Sequence, residues 1–325
     1  MSDFQSAIGP PTVGSLAARL SCGAASANVS NFTSLSLHMN DAHSQSLASL
    51  SELYARKTGK VSDKWASYLK LYEQEFLFTR RNVRSLLEIG VQNGGSLEVW
   101  AEYFPSVEKV LGCDINPRCA ALEFSDSRIR LTVGDATSAT TVAEVLRDVP
   151  SLDVVIEDGS HIPRDVIAAF QLYWPKISPG GVFIAEDLSC DYFPGHEGSI
   201  TRKDTANCFF AQLAHLINHE HWAGVVPIES LFAHFNFKIP FVPAEWVGTI
   251  ASISFHNSVV IVRKAVSVDD TLLGNRVVAG DVATVDDAVL SVRASGQSSL
   301  LGLHERPHGA PGGVAGKASF ANLFR

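Results

Sequence analysis

The segment "LDVVIEDGSH" (152–161) runs from an apolar, β-branched stretch straight into Glu157, Asp158, Gly159, Ser160 and His161. Further on, "GGVFIAED" (180–187) repeats the pattern and ends in Glu186 and Asp187. If the two runs are neighbouring strands of one sheet, Asp158, Glu186 and Asp187 form an oxygen-rich cluster. Without a counter-ion such carboxylates repel and raise each other's pKa. A hard divalent cation such as Mg²⁺, with water completing its shell, resolves that conflict. His161, three residues beyond Asp158, is spaced to take a proton near neutral pH. A plainer account has Ser160 capping the next helix and His161 standing in a solvated loop.

A second group precedes these acids. "LEIGVQNGGS" carries Glu88 and Gly90 at the end of one apolar run, then Gly94, Gly95 and Ser96 at the start of a helical pattern. Glycines here allow a tight turn and close approach of a ligand to the backbone. The full G-x-G-x-x-G is missing, because Gln92 and Asn93 stand in its middle. Asp114 ends the next run, where an acid can hydrogen-bond a ribose diol. Asp135 follows in "VGDAT". Acids at three successive strand ends point to a cofactor bearing a nucleoside.

These residues need a frame to bring them together. "SLLEIGV", "KVLGCDI", "IRLTVGD", "LDVVIED" and "GGVFIAED" are short apolar runs separated by the helical patterns "SLEVWAEYF", "TTVAEVLRD" and "PRDVIAAFQLYWPKI". Such alternation predicts an α/β fold with a doubly wound, mostly parallel sheet covered on both faces. "GTIASISFHNSVVIVRKA" reads as an antiparallel hairpin turning at His256-Asn257, which completes a seven-stranded sheet. Ligands of such sheets bind beyond the carboxyl ends of the strands. Glu88, Asp114, Asp135, Asp158 and Asp187 therefore line one rim. "TANCFFAQLAHLINHEHW" has a helical period, and its His215 and His219 are read as a polar helix end rather than a zinc pair. "TRRNVR" (79–84) and "SDKWASYLKLYEQEF" (62–76) read as solvated helix faces.

Composition bounds the rest. The chain of 325 residues is 46% hydrophobic, enough for a sizeable core, and has a formal net charge of −8. That charge argues against a general attraction to nucleic acid or anionic membrane. The five cysteines are scattered and odd in number, as in a reducing compartment. With no long apolar run and no signal-like N-terminus, a cytoplasmic protein is expected. Residues 1–37, rich in Ser, Ala, Gly and Asn, read as a weakly ordered extension, with "VGSLAARL" as a short helix at most. Residues 38–265 form the ordered domain, and 266–325 read as a flexible tail.

Taken in order, "LEIGVQNGGSLEVW", "GCDI", "VGDATS", "VVIEDGSH", "PGGVFIAEDL" and "DYFPG" resemble the class I S-adenosylmethionine-dependent methyltransferases. More narrowly, they resemble the metal-dependent sugar O-methyltransferases of macrolide biosynthesis, which are often grouped with cephalosporin hydroxylase-like proteins. The resemblance runs over about 52–265. It implies that Glu88, Gly90 and Gly94 line the methionine part of S-adenosyl-L-methionine. Asp114 would hold the ribose and Asp135 with Ala136 the adenine. Asp158, also at the cofactor, would bind Mg²⁺ with Glu186 and Asp187, and His161 would be the base. The family usually has glycine where Gln92 and Asn93 stand, and Gln where Ala136 stands.

The reaction implied is Mg²⁺-assisted methylation of a hydroxyl on a sugar or glycosylated small molecule, a step in natural product biosynthesis. Three rivals share the fold. A nicotinamide-dependent oxidoreductase calls for the full glycine motif and no metal-spaced acids. A degenerate, non-catalytic member would bind cofactor without turnover. A hydroxylase would need a redox metal held by histidine. The expected partner is a glycoside or polyol, with no nucleic acid and no membrane span, and a homo-oligomer is left open.

Overall fold

A computed structural model describes residues 47–285 and Leu290. The expected N-terminal extension, its short helix and most of the expected tail lie outside those residues. Strands β1 (Ser85–Ile89), β2 (Lys109–Asp114), β3 (Ile129–Val133), β4 (Leu152–Glu157), β5 (Ile177–Ala185), β6 (Ile250–His256) and β7 (Val259–Lys264) form one sheet. Its order is β3-β2-β1-β4-β5-β7-β6. β1 to β5 run parallel, and β7 joins β5 and β6 antiparallel. The hairpin turns at Asn257-Ser258, with Ser258 at φ 68°. Strand order reverses between β1 and β4, so a crevice opens at their carboxyl ends.

Side chains along a strand alternate between faces, and both faces of this sheet are covered. Leu87, Ile89, Leu111, Cys113, Val155, Phe183 and Ala185 pack against α4 (Ala139–Val145), α5 (Pro163–Tyr173) and α6 (Ala206–Gln212). Their neighbours Leu86, Val110, Val154, Ile156, Val182 and Ile184 pack against α1 (Leu50–Arg56), α2 (Ala66–Glu75) and α3 (Gly95–Tyr103). This double burial is why the strands read as unbroken apolar runs. Trp100, Tyr72, Phe76 and Phe104 form an aromatic cluster on one side, and Phe170, Phe183, Phe209 and Phe210 form one on the other.

Two expectations are corrected. The single helix read over "TANCFFAQLAHLINHEHW" is broken into α6, α7 (Ala214–Ile217) and a 3₁₀ turn at His219–His221. Within that turn His219 stacks edge-on against Trp222. The segment 62–76 is not a solvated face: Tyr68 and Tyr72 are buried, and only 3% of the Lys64 side chain is exposed. Both tyrosines lie four residues apart on the face of α2 that meets the sheet. Residues 266–285 add no strand, but a 3₁₀ turn, Val268–Thr271, is closed by a Ser267–Asp270 capping box.

Candidate active site at the carboxyl ends of the strands

The parallel ladder continues past the strand ends. Gly90 N donates to Cys113 O, Gly134 N to Asp114 O, Asp158 N to Ile89 O and Glu186 N to Glu157 O, all within 2.8–2.9 Å. The predicted acids are therefore held in register. Gly90, at φ 88°, lies where β1 crowds the end of β4, and a Cβ there would stand 1.9 Å from the Asp158 carbonyl oxygen. Only glycine fits.

Asp114 fixes the turn that follows. Its Oδ2 accepts from Val91 N at 2.9 Å and Gln92 N at 2.8 Å, and its Oδ1 accepts from Asn116 N. Gln92 is thereby held in the left-handed region, φ 49°, a conformation that costs a non-glycine residue about 1–3 kcal/mol. A cavity of about 250 Å³ lies beside it, lined by Gly90, Asp114, Asp135, Ala136, Glu157 and Lys238 among others. The Thr137 hydroxyl and amide and the Lys238 ammonium hold Asp135 below the usual carboxylate range. Lys238 also donates to Thr137 Oγ1 and Asp165 Oδ1, closing one end of the slot.

Glu88 and Gly94 do not line this slot. Glu88 is fully buried, receiving Ser96 Oγ and Trp100 Nε1, with Lys64 Nζ at 3.3 Å. Gly94 begins α3 at φ 79°, where a Cβ would meet the Phe124 ring at 2.9 Å. Both shape the turn from beneath.

The second group adjoins the slot. A cavity of similar size, about 250 Å³, is lined by Lys64, Gly90, Asp114, Asp158, His161 and Asp187 among others. Gly90, Asp114 and Gly159 border both cavities. Asp158, His161 and Asp187 each offer a ligand atom within 4.8 Å of one another. Asp187 Oδ1 accepts from Tyr68 Oη at 2.7 Å and Trp65 Nε1 at 3.2 Å. His161 and Asp187 both adopt left-handed backbone, φ 55° and 54°. Two such strained residues facing one cavity fit a site whose geometry is imposed by function. Ser160 does not cap α5, which opens at Pro163; its hydroxyl accepts from Ile162 N and donates to Asp165.

Sequence reasoning missed Lys64. Its Nζ donates to Asp158 Oδ2 at 2.7 Å and to both Glu186 oxygens at 2.9 and 3.0 Å. Glu186 also receives Tyr72 Oη and is not among the residues grouped around Asp158, His161 and Asp187. Burial alone would drive the Lys64 pKa down, but Glu186, Glu88 and Asp158 outweigh it and hold the ammonium well above its usual value. Carboxylate oxygens from β1, β4 and β5 thus converge on one positive charge. The Lys64 ammonium neutralises much of this carboxylate charge. The readable signal was Tyr68 and Tyr72, whose spacing aims two hydroxyl tips from one helix face.

Comparisons with known proteins agree with this fold. A family described as "Methyltransferase domain" matches residues 87–188. The 8-demethyl-8-alpha-L-rhamnosyl tetracenomycin-C 2'-O-methyltransferase of Streptomyces olivaceus is 34% identical over 147 residues, 42% of this chain and 38% of that protein. The mycinamicin VI 2''-O-methyltransferase of Micromonospora griseorubida is 32% identical over 154 residues, 45% and 38% of the two chains. The chain thus spans less than half the length of these relatives. The crystal structure of MycE methyltransferase from the mycinamycin biosynthetic pathway, in complex with Mg and SAH, superposes with a TM-score of 0.55 at 27% identity. That match covers 68% of this chain and 55% of the other. Over residues 87–188 the sequence is similar to methyltransferase domains.

Proposed function

We propose that the chain is an S-adenosyl-L-methionine-dependent O-methyltransferase acting on a hydroxyl of a sugar, glycoside or related polyol. The observation that carries this reading is the junction of the two cavities at Gly90, Asp114 and Gly159. It puts a nucleoside-sized slot beside a carboxylate and histidine cluster. Three of the matched relatives are named for O-methylation of rhamnosyl tetracenomycin-C or of L-olivosyl-oleandolide, which supports the substrate class.

In this reading Asp114 holds the cofactor ribose, with Asp135 and Ala136 beside the adenine and Gly90 giving backbone access to the methionine part. Asp158, Glu186 and Asp187 would hold Mg²⁺. When bound, Mg²⁺ lowers the pKa of a ligated hydroxyl and fixes its position. His161 takes the hydroxyl proton as the oxygen attacks the sulfonium methyl. When bound, the cofactor would supply the methyl group: the C–O bond would form as the C–S bond breaks, and the sulfonium would become a neutral thioether. Alignment of oxygen, methyl and sulfur supplies much of the rate.

The test is a turnover assay with methyl-labelled cofactor, Mg²⁺ and a panel of simple rhamnosides and polyols, read as methyl ether by mass spectrometry. Calorimetry with S-adenosylhomocysteine accompanies it. A wild-type chain that binds NAD and not S-adenosylhomocysteine overturns the proposal.

A further inference from the structure

Glu157 has no part in the reaction just described, yet it occupies the floor of the nucleoside slot. It is the last residue of β4 and pairs in register with Ile89 of β1, which pairs with Cys113 of β2. One row across the sheet therefore reads Cys113, Ile89, Glu157, and all three residues line the slot. The first two are apolar. The third is a carboxyl group with 2% of its surface exposed.

Its two oxygens differ. Oε1 accepts from Gly159 N at 3.3 Å. Oε2 is buried and has no hydrogen-bond partner. A buried polar atom without a partner destabilises the fold. An apolar side chain of similar size would satisfy the row better if the position served only packing. The neighbour Asp158 points to the other cavity, so the two acids at this strand end serve different compartments.

We infer that Glu157 is a ligand-binding residue of the slot, whose Oε2 makes a hydrogen bond with the nucleoside part of the bound cofactor. This rests on the methyltransferase reading above. The bound nucleoside supplies the partner that the protein withholds, and the cost of the unpaired oxygen is recovered on binding. Glu157 lies on β4, away from Asp135 beyond β3, so it contacts a part of the nucleoside that Asp135 does not reach.

The experiment compares the full chain with Glu157→Leu and Glu157→Met, using S-adenosylhomocysteine as probe in calorimetry and thermal unfolding of the ligand-free proteins. Both variants lack Oε2 and keep an apolar chain of similar length. The expected result is affinity at least ten-fold weaker in both variants, with ligand-free melting temperatures equal to or above wild type. Wild-type affinity in either folded variant overturns the inference. Weaker affinity accompanied by a markedly lower melting temperature in both also overturns it, because the group would then be structural. If the wild-type chain itself fails to bind the probe, the methyltransferase reading falls and this inference with it.

Discussion

The ammonium of Lys64 stands 2.7 Å from Asp158 Oδ2, joining the segment ahead of α2 to the end of β4 across 94 residues of sequence. The same nitrogen reaches Glu186 and Glu88. Removing one partner of a buried ion pair leaves an uncompensated charge, at a cost of about 3–5 kcal/mol. Lys64→Met should therefore melt well below wild type in EDTA. Added Mg²⁺ should raise its melting temperature more than it raises that of wild type, since the cation fills the vacated charge position. Equal melting of the two proteins in EDTA would show that Lys64 contributes no such pairing.

Gly90→Ala should be among the most damaging single substitutions. The alanine Cβ would overlap the Asp158 carbonyl, and φ 88° is unfavourable for any L side chain. Overpacking and backbone strain together cost about 2–5 kcal/mol. Chemical denaturation reads this directly. A loss below about 1 kcal/mol would mean that the ends of β1 and β4 separate easily.

Asp114→Ala removes an acceptor for three backbone amides as well as the expected ribose contact. A hydrogen bond to a charged acceptor contributes about 1.5–3 kcal/mol, so S-adenosylhomocysteine affinity should fall at least ten-fold. Asp114→Asn, which keeps one carbonyl acceptor, should recover part of it. Calorimetry on the three proteins checks the order.

His161→Ala should leave S-adenosylhomocysteine affinity near wild type and lower turnover by about 10²–10⁴ at saturating Mg²⁺. EDTA should abolish wild-type turnover, and Mg²⁺ should restore it. Unchanged turnover in His161→Ala would reduce the residue to a strained entry into α5.

Cys113, buried on the slot floor, has its thiol pushed up to about 12 by burial and by the Asp114 and Asp135 charges. The thiolate is the reactive form. Iodoacetamide at pH 8 should leave Cys113 unmodified in the folded chain and label it after denaturation, as followed by peptide mass spectrometry. Labelling of the native protein at the rate of a free thiol would contradict this burial.

Much of the frame is written in the local pattern. β1 to β5 are apolar because both faces are covered, and the acids at their ends mark the rim where polarity returns. Asp114, Asp135, Asp158, His161 and Asp187 follow from that rule. Lys64 does not. A lysine in "VSDKW" looks like any exposed charge, and its burial is favourable only because three distant strand ends bring carboxylates to it. Its pairing with Glu88 and Glu186 was unreadable for the same reason: alternation says which residues end a strand, while the partners of a buried carboxylate are set by tertiary packing. The break in the helix over 206–221 is likewise not visible from its period.

Gly90 and Gly159 border both cavities, and neither presents a side chain between them. The two compartments meet along these glycines and the Asp114 side chain. A bisubstrate inhibitor, with an adenosine joined by a short linker to a sugar-like diol, would match both compartments at once. The linker would need to be unbranched where it passes the glycines, because the backbone at Gly90 is already crowded by the Asp158 carbonyl.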